Sequence, residues 1–347
     1  MVYNSGMELH VNQGLEPKSW DHFILQHPEA NLLQSWHWGE FQRSLGHIVW
    51  RLAVTDGNAI IAQLSVFKLP LRFGRYIFYA PRAILLNKNL PAHQQYLAMK
   101  MIIDYMKKIA DTEKSIMLRT DPPIPPEDTA ALSIYKSIGF VLSNKSTQPK
   151  SNWQLDITPK PSNLLMLMKI KVRYNVRLSE KKGLEIRETT NPDKINIFTD
   201  LMHATAIRDN FTPHSDNYYR QQLAVLGKQN MLSLLVVYDQ EEPLSAALIS
   251  FFGSTATYLH GASSDKNREK KPVYALQWAA IQAAKERGCS IYDFGGVNLD
   301  PNHAWAGISR FKTGFGGQEV NYIGNLELPL NPSWFRLYKL VTRFKHA

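Results

Sequence analysis

Apolar residues follow two kinds of pattern along the chain, one typical of helices and one typical of strands. Apolar residues recur every three to four positions in Tyr96–Thr112 and again in Tyr274–Arg287, which is typical of helices. A short, mostly apolar run follows each of them, Ser115–Thr120 in the first case and Ser290–Phe294 in the second. The pattern therefore predicts, at two places, a helix that leads into a strand.

These two places carry copies of one arrangement. When the chain is shifted by 175 residues, Ser115 falls on Ser290 and Gly139 on Gly314, and 6 of the 26 positions of Ser115–Phe140 are identical. Each strand is followed by a loop with proline and then by a second helical segment, at Ala130–Gly139 and Ala306–Gly314. The matched order of helix, strand, helix and glycine indicates a duplicated fold.

Further strands are predicted on both sides of each copy. They are Val49–Val54, Ala59–Phe67 and Trp153–Ile157 around the first copy, and Leu232–Tyr238, Ser245–Phe252, Thr257–Leu259 and Glu319–Leu326 around the second. Strands that alternate with helices, twice over, predict the α/β fold class in two domains. We expect one domain at 1–150 plus 327–347 and the other at 151–326, with the boundary in the polar Ser143–Ser151. The C-terminal helix, from Pro332 or Ser333, is expected to return to the first domain.

Composition restricts the class of protein. The chain of 347 residues is 44% hydrophobic and 20% charged, as in an ordinary globular protein, and no apolar run is long enough to cross a bilayer. The N-terminus lacks a secretion pattern and Cys289 is the single cysteine, so we expect a cytoplasmic protein. The net charge of +10, concentrated at Lys169–Lys182 and Arg336–Lys345, favours nucleic acid, nucleotide substrates or an anionic membrane as partner over a merely solubilising surface.

Several short motifs follow one another in an order that resembles a known family. They are Gln34-Ser35-x-x-Trp38-Gly39-Glu40-Phe41, Leu118-Arg119-Thr120-Asp121-Pro122, Lys171-x-Arg173-Tyr174-Asn175-x-Arg177, Arg208-Asp209-Asn210-Phe211, Tyr258-x-x-Gly261, Tyr292-Asp293-Phe294-Gly295-Gly296 and Phe311-Lys312-x-Gly314-Phe315-Gly316. The ordered set resembles the FemABX peptidyltransferases, which have tandem domains of the GNAT (acyl-CoA N-acyltransferase-like) fold. The resemblance implies an aminoacyltransferase that builds peptidoglycan branches.

That resemblance also implies the substrates. The donor would be an aminoacyl-tRNA, and the acceptor the stem-peptide amine of a UDP-linked or lipid-linked muramyl peptide. Two features depart from the family pattern. A phosphate-binding lysine is replaced by Gln42, with Arg43 beside it, and nothing resembles the coiled-coil insertion of the larger members. The chain is therefore similar to the compact FemX-type members.

Lys312 is the first candidate for catalysis, because the donor ester is already activated and the enzyme needs no nucleophile of its own. An ammonium fixed near the developing oxyanion would stabilise it, and the resemblance gives Phe311 the role of shaping the site. The alternative is a surface lysine on the last turn of a helix. Asp121 ends a strand, where it could orient the attacking amine or take its proton; the alternative is a turn or cap residue.

The remaining candidates bind substrate or RNA. The resemblance implies that Arg208 binds phosphate; the alternative is a cation at a helix end that pairs with a carboxylate. Tyr258 either forms a hydrogen bond with substrate or packs within its strand. In the predicted helix Leu164–Lys182, the residues Lys171, Arg173, Arg177 and Lys181 contact tRNA or form a solvated face. The C-terminal helix places Trp334, Leu337, Tyr338 and Val341 on one stripe, which either docks on the core or lies at a membrane interface.

Two other functions stay open. One is an acyl-CoA-dependent N-acyltransferase, although the chain lacks the Gln/Arg-x-x-Gly-x-Gly/Ala loop that cradles coenzyme A. The other is a non-catalytic protein that binds RNA or membrane. The histidines show no metal-ligand spacing, Asp293-Phe294-Gly295 lacks the other kinase motifs, and Cys289 is expected to be buried. We expect a monomer without metal or cofactor.

Overall fold

The structure, a computed structural model, describes residues 6–343 and divides the chain into two compact units. The first unit contains the chain up to Lys150 and from Asn321 onward, and the second contains Ser151–Val320. Lys345 of the predicted basic segment lies outside the described residues, and so does the side chain of Arg343.

The first unit contains strands and helices that alternate along the chain. Its strands are β1 (Met7–Val11), β2 (Val49–Asp56), β3 (Ala59–Pro70), β4 (Tyr76–Ala80), β5 (Leu85–Leu86), β6 (Ser115–Thr120), β7 (Val141–Leu142) and β15 (Leu326–Pro329). Its helices are α1 (Pro17–Leu25), α2 (Trp36–Ser44), α3 (Ala92–Ala110), α4 (Thr129–Ile138) and α11 (Pro332–Arg343), with short 3-10 turns at Leu32–Gln34 and Arg72–Gly74.

These strands form one sheet in the order β1-β2-β3-β4-β6-β15-β7, with β5 beside β3. The pairs are antiparallel except β4 with β6, which run parallel. Helix α3 turns its buried methionines and isoleucines onto the main core of the unit, while α1 and α2 also pack against β3. The parallel pair is the point where α3 crosses from one strand to the other, as a helical connection must.

The second unit repeats this alternation. Its strands are β8 (Ser151–Asp156), β9 (Glu185–Thr189), β10 (Leu232–Asp239), β11 (Glu242–Phe252), β12 (Thr255–Ser263), β13 (Ile291–Gly296) and β14 (Gln318–Asn321). Its helices are α5 (Pro161–Leu167), α6 (Ile170–Glu180), α7 (Ile195–Asp209), α8 (Asp216–Gly227), α9 (Pro272–Glu286) and α10 (Ala306–Thr313), with 3-10 turns at Pro192–Lys194 and Arg268–Lys270.

The two sheets have the same strand order once the strands are renumbered. The second sheet runs β9-β10-β11-β12-β13-β8-β14, so β12 and β13 take the places of β4 and β6 and are again parallel. Helices α3 and α9 connect the parallel pairs, and α4 and α10 follow them. The duplication predicted from the 175-residue shift is therefore present in the topology.

One strand of each sheet comes from a distant part of the chain. The place next to β6 is filled by β15, near the C-terminus, and the matching place next to β13 is filled by β8, which directly follows the first unit's β7. The chain thus leaves the first unit before its sheet is complete, and it returns after the second unit to add β15.

Two element predictions were wrong. The segment Glu319–Leu326 is not one strand but two, β14 and β15 in different sheets, because Gly324 adopts a left-handed turn at φ 83° between them. The segment Leu164–Lys182 is not one helix but α5 and α6, because Met168 leaves the helical conformation and Lys169 N–H bonds to the carbonyl of Gly314 at 2.9 Å.

Two expectations concern the helices: whether any could cross a membrane, and whether α11 docks on the core. In the described part of the chain none has both the length and the apolar character needed to span one, and none is longer than α3, so no coiled-coil arm is present there. On α11 the predicted stripe is divided. Trp334 and Tyr338 pack with Phe335 on a cluster around Ile77, whereas Leu337 and Val341 are exposed.

Candidate active site

The parallel pair of the second unit separates at one end. Among the described residues the pairing of β12 with β13 ends at Thr257 and Asp293, although both strands continue. A bulge at Leu259 turns Tyr258 and His260 to opposite faces, because Tyr258 pairs with Ile249 and His260 with Leu248. Gly295 then turns β13 aside at φ 74°. The parallel pairing therefore stops where β13 turns, and the end of a strand is a usual place for a ligand in α/β folds.

Asp293 lies at this point and its carboxylate is fully engaged. Its Oδ1 accepts from Gly295 N–H at 2.6 Å, and its Oδ2 accepts from the side-chain amides of Asn152 at 2.9 Å and Gln154 at 3.1 Å. Both amides come from β8, which pairs with β13 on the other side. The carboxylate therefore fixes the Gly295-Gly296 turn.

Lys312 points back to that turn from the last turn of α10. Its side chain is 8% exposed, and Nζ donates to the carbonyl of Gly296 at 2.7 Å. Burial lowers the pKa of Lys312 from 10.5 to about 8, while the charge of Asp293 raises it. The alternative of a solvated surface lysine is thus wrong, and the ammonium remains the main form at neutral pH.

The ammonium has capacity for a ligand. It carries three N–H donors, and within residues 6–343 the Gly296 carbonyl is its one hydrogen-bond acceptor. A Cβ placed on Gly295 would lie 3.9 Å from Nζ, so the lysine lies directly at the turn. A buried cation with two unused donors can bind an oxyanion.

Aromatic side chains support α10. The ring of Phe311 meets Tyr274 and Phe315 edge to face, each at a centroid distance of 5.3 Å. Gly314 is required because Val172 of α6 occupies the space, with Cγ2 2.4 Å from where a Cβ would stand. These contacts hold Lys312 in place.

Tyr258 lies across Gly261. A Cβ on Gly261 would be 1.5 Å from the phenol oxygen and 2.3 Å from Cζ, which explains the Tyr-x-x-Gly spacing. Burial raises the pKa of Tyr258 to about 12, although a hydrogen bond with Gln277 lowers it in part. The phenol is therefore neutral and fixed in position.

Asp121 occupies the corresponding place in the first unit. In the 175-residue shift it falls on Gly296, and it directly follows β6. Its side chain is 1% exposed, accepts from Tyr79 Oη at 3.0 Å and lies 3.7 Å from Arg82 Nε. Burial raises the pKa of Asp121 to about 6, although Arg82 lowers it. The residue is not a helix cap or an exposed turn residue, but a buried, ion-paired carboxyl group.

Arg208 lies in the last turn of α7. Its guanidinium makes a two-point ion pair with Asp209, with Nε–Oδ1 and Nη2–Oδ2 both at 2.9 Å, and donates to the carbonyl of Ser263 at 2.8 Å. Asp265 lies 3.3 Å away. Most N–H donors of the Arg208 guanidinium are thus occupied, which agrees with the alternative of a helix-end cation paired with a carboxylate. A phosphate would have to compete with Asp209 for them.

The opening motif places its two polar residues differently. Gln42 is buried, and its Oε1 lies 2.9 Å from His47 Nδ1. Arg43 is exposed and pairs with Glu40 at 3.1 Å. Arg43 is therefore more accessible to a ligand than Gln42.

The predicted RNA-binding cations lie on α6 and at its end. Lys171, Arg177 and Lys181 are exposed, and Arg173 donates to the carbonyl of Met166 at 3.4 Å. They belong to the second unit, as Lys312 does.

Sequence reasoning missed Asp293 and the amides of β8 as site residues. Asp293 lies within the Tyr292–Gly296 motif, but the local sequence gives its carboxylate no specific role. Asn152 and Gln154 gave no signal, since their role depends on the position of β8 beside β13.

Two α/β units of one topology, each with a single described parallel strand pair, define a protein with tandem GNAT-like units. The fold is similar to a crystal structure of FemX, with a TM-score of 0.84 at 22% identity, covering 95% of this chain and 99% of that one. It is also similar to a tandem GNAT protein from the clavulanic acid biosynthesis pathway, with a TM-score of 0.58 at 12% identity, covering 94% and 99%. The predicted fold is confirmed.

The chain belongs to the FemAB family, whose model matches residues 15–132, 135–237 and 228–343. Relatives include the lipid II:glycine glycyltransferases of Staphylococcus epidermidis (strain ATCC 35984) and Staphylococcus aureus (strain USA300). Each is 26% identical, and the alignment covers 94% of this chain and 93% of the relative. The predictions of this family and of a transferase are confirmed.

Proposed function

We propose that this chain is an aminoacyl-tRNA-dependent aminoacyltransferase that acts on the stem-peptide amine of a peptidoglycan precursor and so builds an interpeptide branch. The names of the relatives support a lipid II-type acceptor and a transferred amino acid. A lipid-linked acceptor is therefore our first choice, and a UDP-linked muramyl peptide is the second.

The observation that carries the proposal is the buried ammonium of Lys312 beside the Gly295-Gly296 turn, where the pairing of β12 with β13 ends. In this reaction the acceptor amine attacks the ester carbonyl of the aminoacyl-tRNA, and negative charge develops on the carbonyl oxygen. The two N–H donors of Lys312 that Gly296 does not use would stabilise this oxyanion. Phe311 and the Gly295-Gly296 turn would shape the space around it.

The balance of the step is simple. A C–N bond forms between the amine and the aminoacyl carbon, and the C–O bond to the terminal ribose of the tRNA breaks. The amine loses one proton, and the ribose oxygen gains one as it leaves. Aminolysis of an ester requires no redox partner. The enzyme contributes mainly positioning and charge stabilisation.

The other candidates are assigned roles within the same proposal. Asp121, with its pKa raised to about 6, would orient the acceptor amine or take its proton. Tyr258, Arg208, Arg43 and Gln42 would bind the acceptor. The ion pair of Arg208 with Asp209 makes Arg208 the residue whose role would need a rearrangement.

The test is a transfer assay. The full chain is incubated with lipid-linked muramyl pentapeptide, or with its UDP-linked form, and with tRNA charged with one amino acid at a time. Mass spectrometry should find an acceptor heavier by one amino-acid residue, with the lipid-linked form preferred. The absence of any gain with every charged tRNA on both acceptors overturns the proposal. Acyl transfer from acetyl-CoA alone would indicate the acyl-CoA-dependent function instead.

A further inference from the structure

An apolar and basic surface covers the outer side of α5 and α6. Four large apolar side chains are well exposed there: Met166 (65%), Leu167 (58%), Ile170 (78%) and Tyr174 (62%). Large apolar side chains that cluster in the open mark an interaction site. We call these four residues, with Lys169, Lys171, Arg173, Arg177 and Lys181, the α5–α6 surface.

The charges of this surface have one sign. By helical spacing Tyr174, Arg177 and Lys181 lie on the same face of α6 as Ile170, whereas Val172 and Val176 are buried on the opposite face. The chain contains no aspartate or glutamate between Ile157 and Ser179. Glu180, the last residue of α6, is the one acidic side chain of the two helices, and the five cations of the surface outnumber it.

The surface is firmly supported and adjoins the site. Lys169 N–H bonds to the carbonyl of Gly314 at 2.9 Å, and Val172 packs against Gly314, two residues beyond Lys312. Arg173 Nη1, 3.4 Å from the carbonyl of Met166, links the end of α5 to α6. The exposed apolar side chains therefore stand on a fixed base next to the helix that carries the ammonium.

We propose that the α5–α6 surface binds the surface of an anionic lipid bilayer. The apolar side chains would enter the interface between headgroups and acyl chains, and the cations would pair with headgroup phosphates, which is the pattern of interfacial helices. A nucleic acid would use the cations but would gain little from Met166, Leu167 and Ile170. The biological meaning rests on the proposed function, since a lipid-linked acceptor lies in a bilayer.

The experiment is flotation of the full chain with vesicles, without donor or acceptor. Binding is expected to vesicles that contain phosphatidylglycerol, and much weaker binding to pure phosphatidylcholine. The double variant Ile170→Ser/Tyr174→Ser should weaken binding about tenfold or more, and Lys171→Glu/Arg177→Glu about twentyfold or more. Ile207→Ser is the matched control, because Ile207 is 84% exposed on α7, outside the α5–α6 surface, and it should bind as the original chain does.

The same variants are measured for binding to uncharged tRNA, with circular dichroism as the check on folding. If the charge variant loses tRNA while the apolar variant keeps full vesicle binding, the surface is an RNA contact and the proposal is overturned. Equal binding to neutral and anionic vesicles overturns it as well. A failed transfer assay leaves this result unaffected, because vesicle binding requires no reaction.

Discussion

Lys312 Nζ donates a hydrogen bond of 2.7 Å to the carbonyl of Gly296, and the turn that presents this carbonyl is held by Asp293. The lysine is thereby positioned by backbone rather than by a direct carboxylate partner. A lysine bonded directly to a carboxylate would have less of its charge available for an oxyanion. The arrangement keeps the cation fixed and available.

Replacement of Lys312 by methionine should reduce the rate of transfer. We expect kcat to fall by about 10²–10³ with little change in KM, because the interaction forms mainly in the transition state. The matched control is Lys285→Met, since Lys285 also lies in the last turn of a helix and donates to a carbonyl, that of Ile157 at 2.6 Å. Equal activity of the two variants would contradict the role of Lys312.

The same variant should be more stable than the original chain at neutral pH. Burial lowers the pKa of Lys312 to about 8 from 10.5, so between these values the unfolded chain binds more protons and the free energy of unfolding rises with pH. Below pH 8 the buried ammonium costs up to about 3 kcal/mol, which methionine avoids. Urea unfolding at several pH values from 7 to 10 measures both effects. A less stable variant with an unchanged pH slope would refute this prediction.

Replacement of Asp293 by asparagine should move the pH dependence of transfer. The charge of Asp293 raises the pKa of Lys312, so its loss lowers that pKa and the alkaline decline of kcat begins at a lower pH. The measurement is the pH profile of kcat, with Asp300→Asn in the following loop as control. A lower kcat with an unshifted alkaline limb would mean that Asp293 acts only by holding the turn.

Replacement of Asp121 by asparagine should change the pH dependence of stability. Burial raises the pKa of Asp121 to about 6 from 3.8, so the folded chain binds more protons between these values. The free energy of unfolding of the original chain should therefore fall as pH rises from about 4 to about 6, by at most about 3 kcal/mol from this group. The variant should lack this part of the slope. Identical slopes in the two proteins would show that folding does not raise the pKa of Asp121.

Replacement of Gly261 by alanine should displace Tyr258. The new Cβ would stand 2.3 Å from the ring carbon Cζ, so the whole ring has to move, at a cost of about 1–3 kcal/mol in the free energy of unfolding. Gly307→Ala is the control, because no atom lies within 4 Å of a Cβ there, and a helical alanine should stabilise slightly. Thermal unfolding distinguishes the two. KM for the acceptor should rise in Gly261→Ala if Tyr258 binds substrate.

Local pattern was sufficient for much of the fold. Ser115–Thr120 is a strand with the predicted bounds, and the glycines at 139 and 314 end equivalent helices, because turns and apolar periods act over a few residues. Long-range partners could not be predicted in this way. The break between α5 and α6 contains neither proline nor glycine and depends on a bond from Lys169 to Gly314.

For the candidate site, too, local patterns in the sequence predict single residues but not their long-range partners. The position of Lys312 between an aromatic residue and glycines marks it as a candidate, but its burial and its bond to the Gly296 carbonyl depend on tertiary packing. Asn152 and Gln154 hold Asp293 from a strand far earlier in the chain, 141 and 139 positions before it. No local pattern predicts such a pairing.

The placement of β8 and β15 has a consequence for biosynthesis. The second unit is continuous from Ser151 to Val320, whereas the first lacks β15 until the ribosome has added Leu326–Pro329. Domains usually become complete in the order of their synthesis. Here the unit that is translated first is completed only after the second unit has been made, so the nascent first unit keeps an unfilled place beside β6 until Leu326–Pro329 follow.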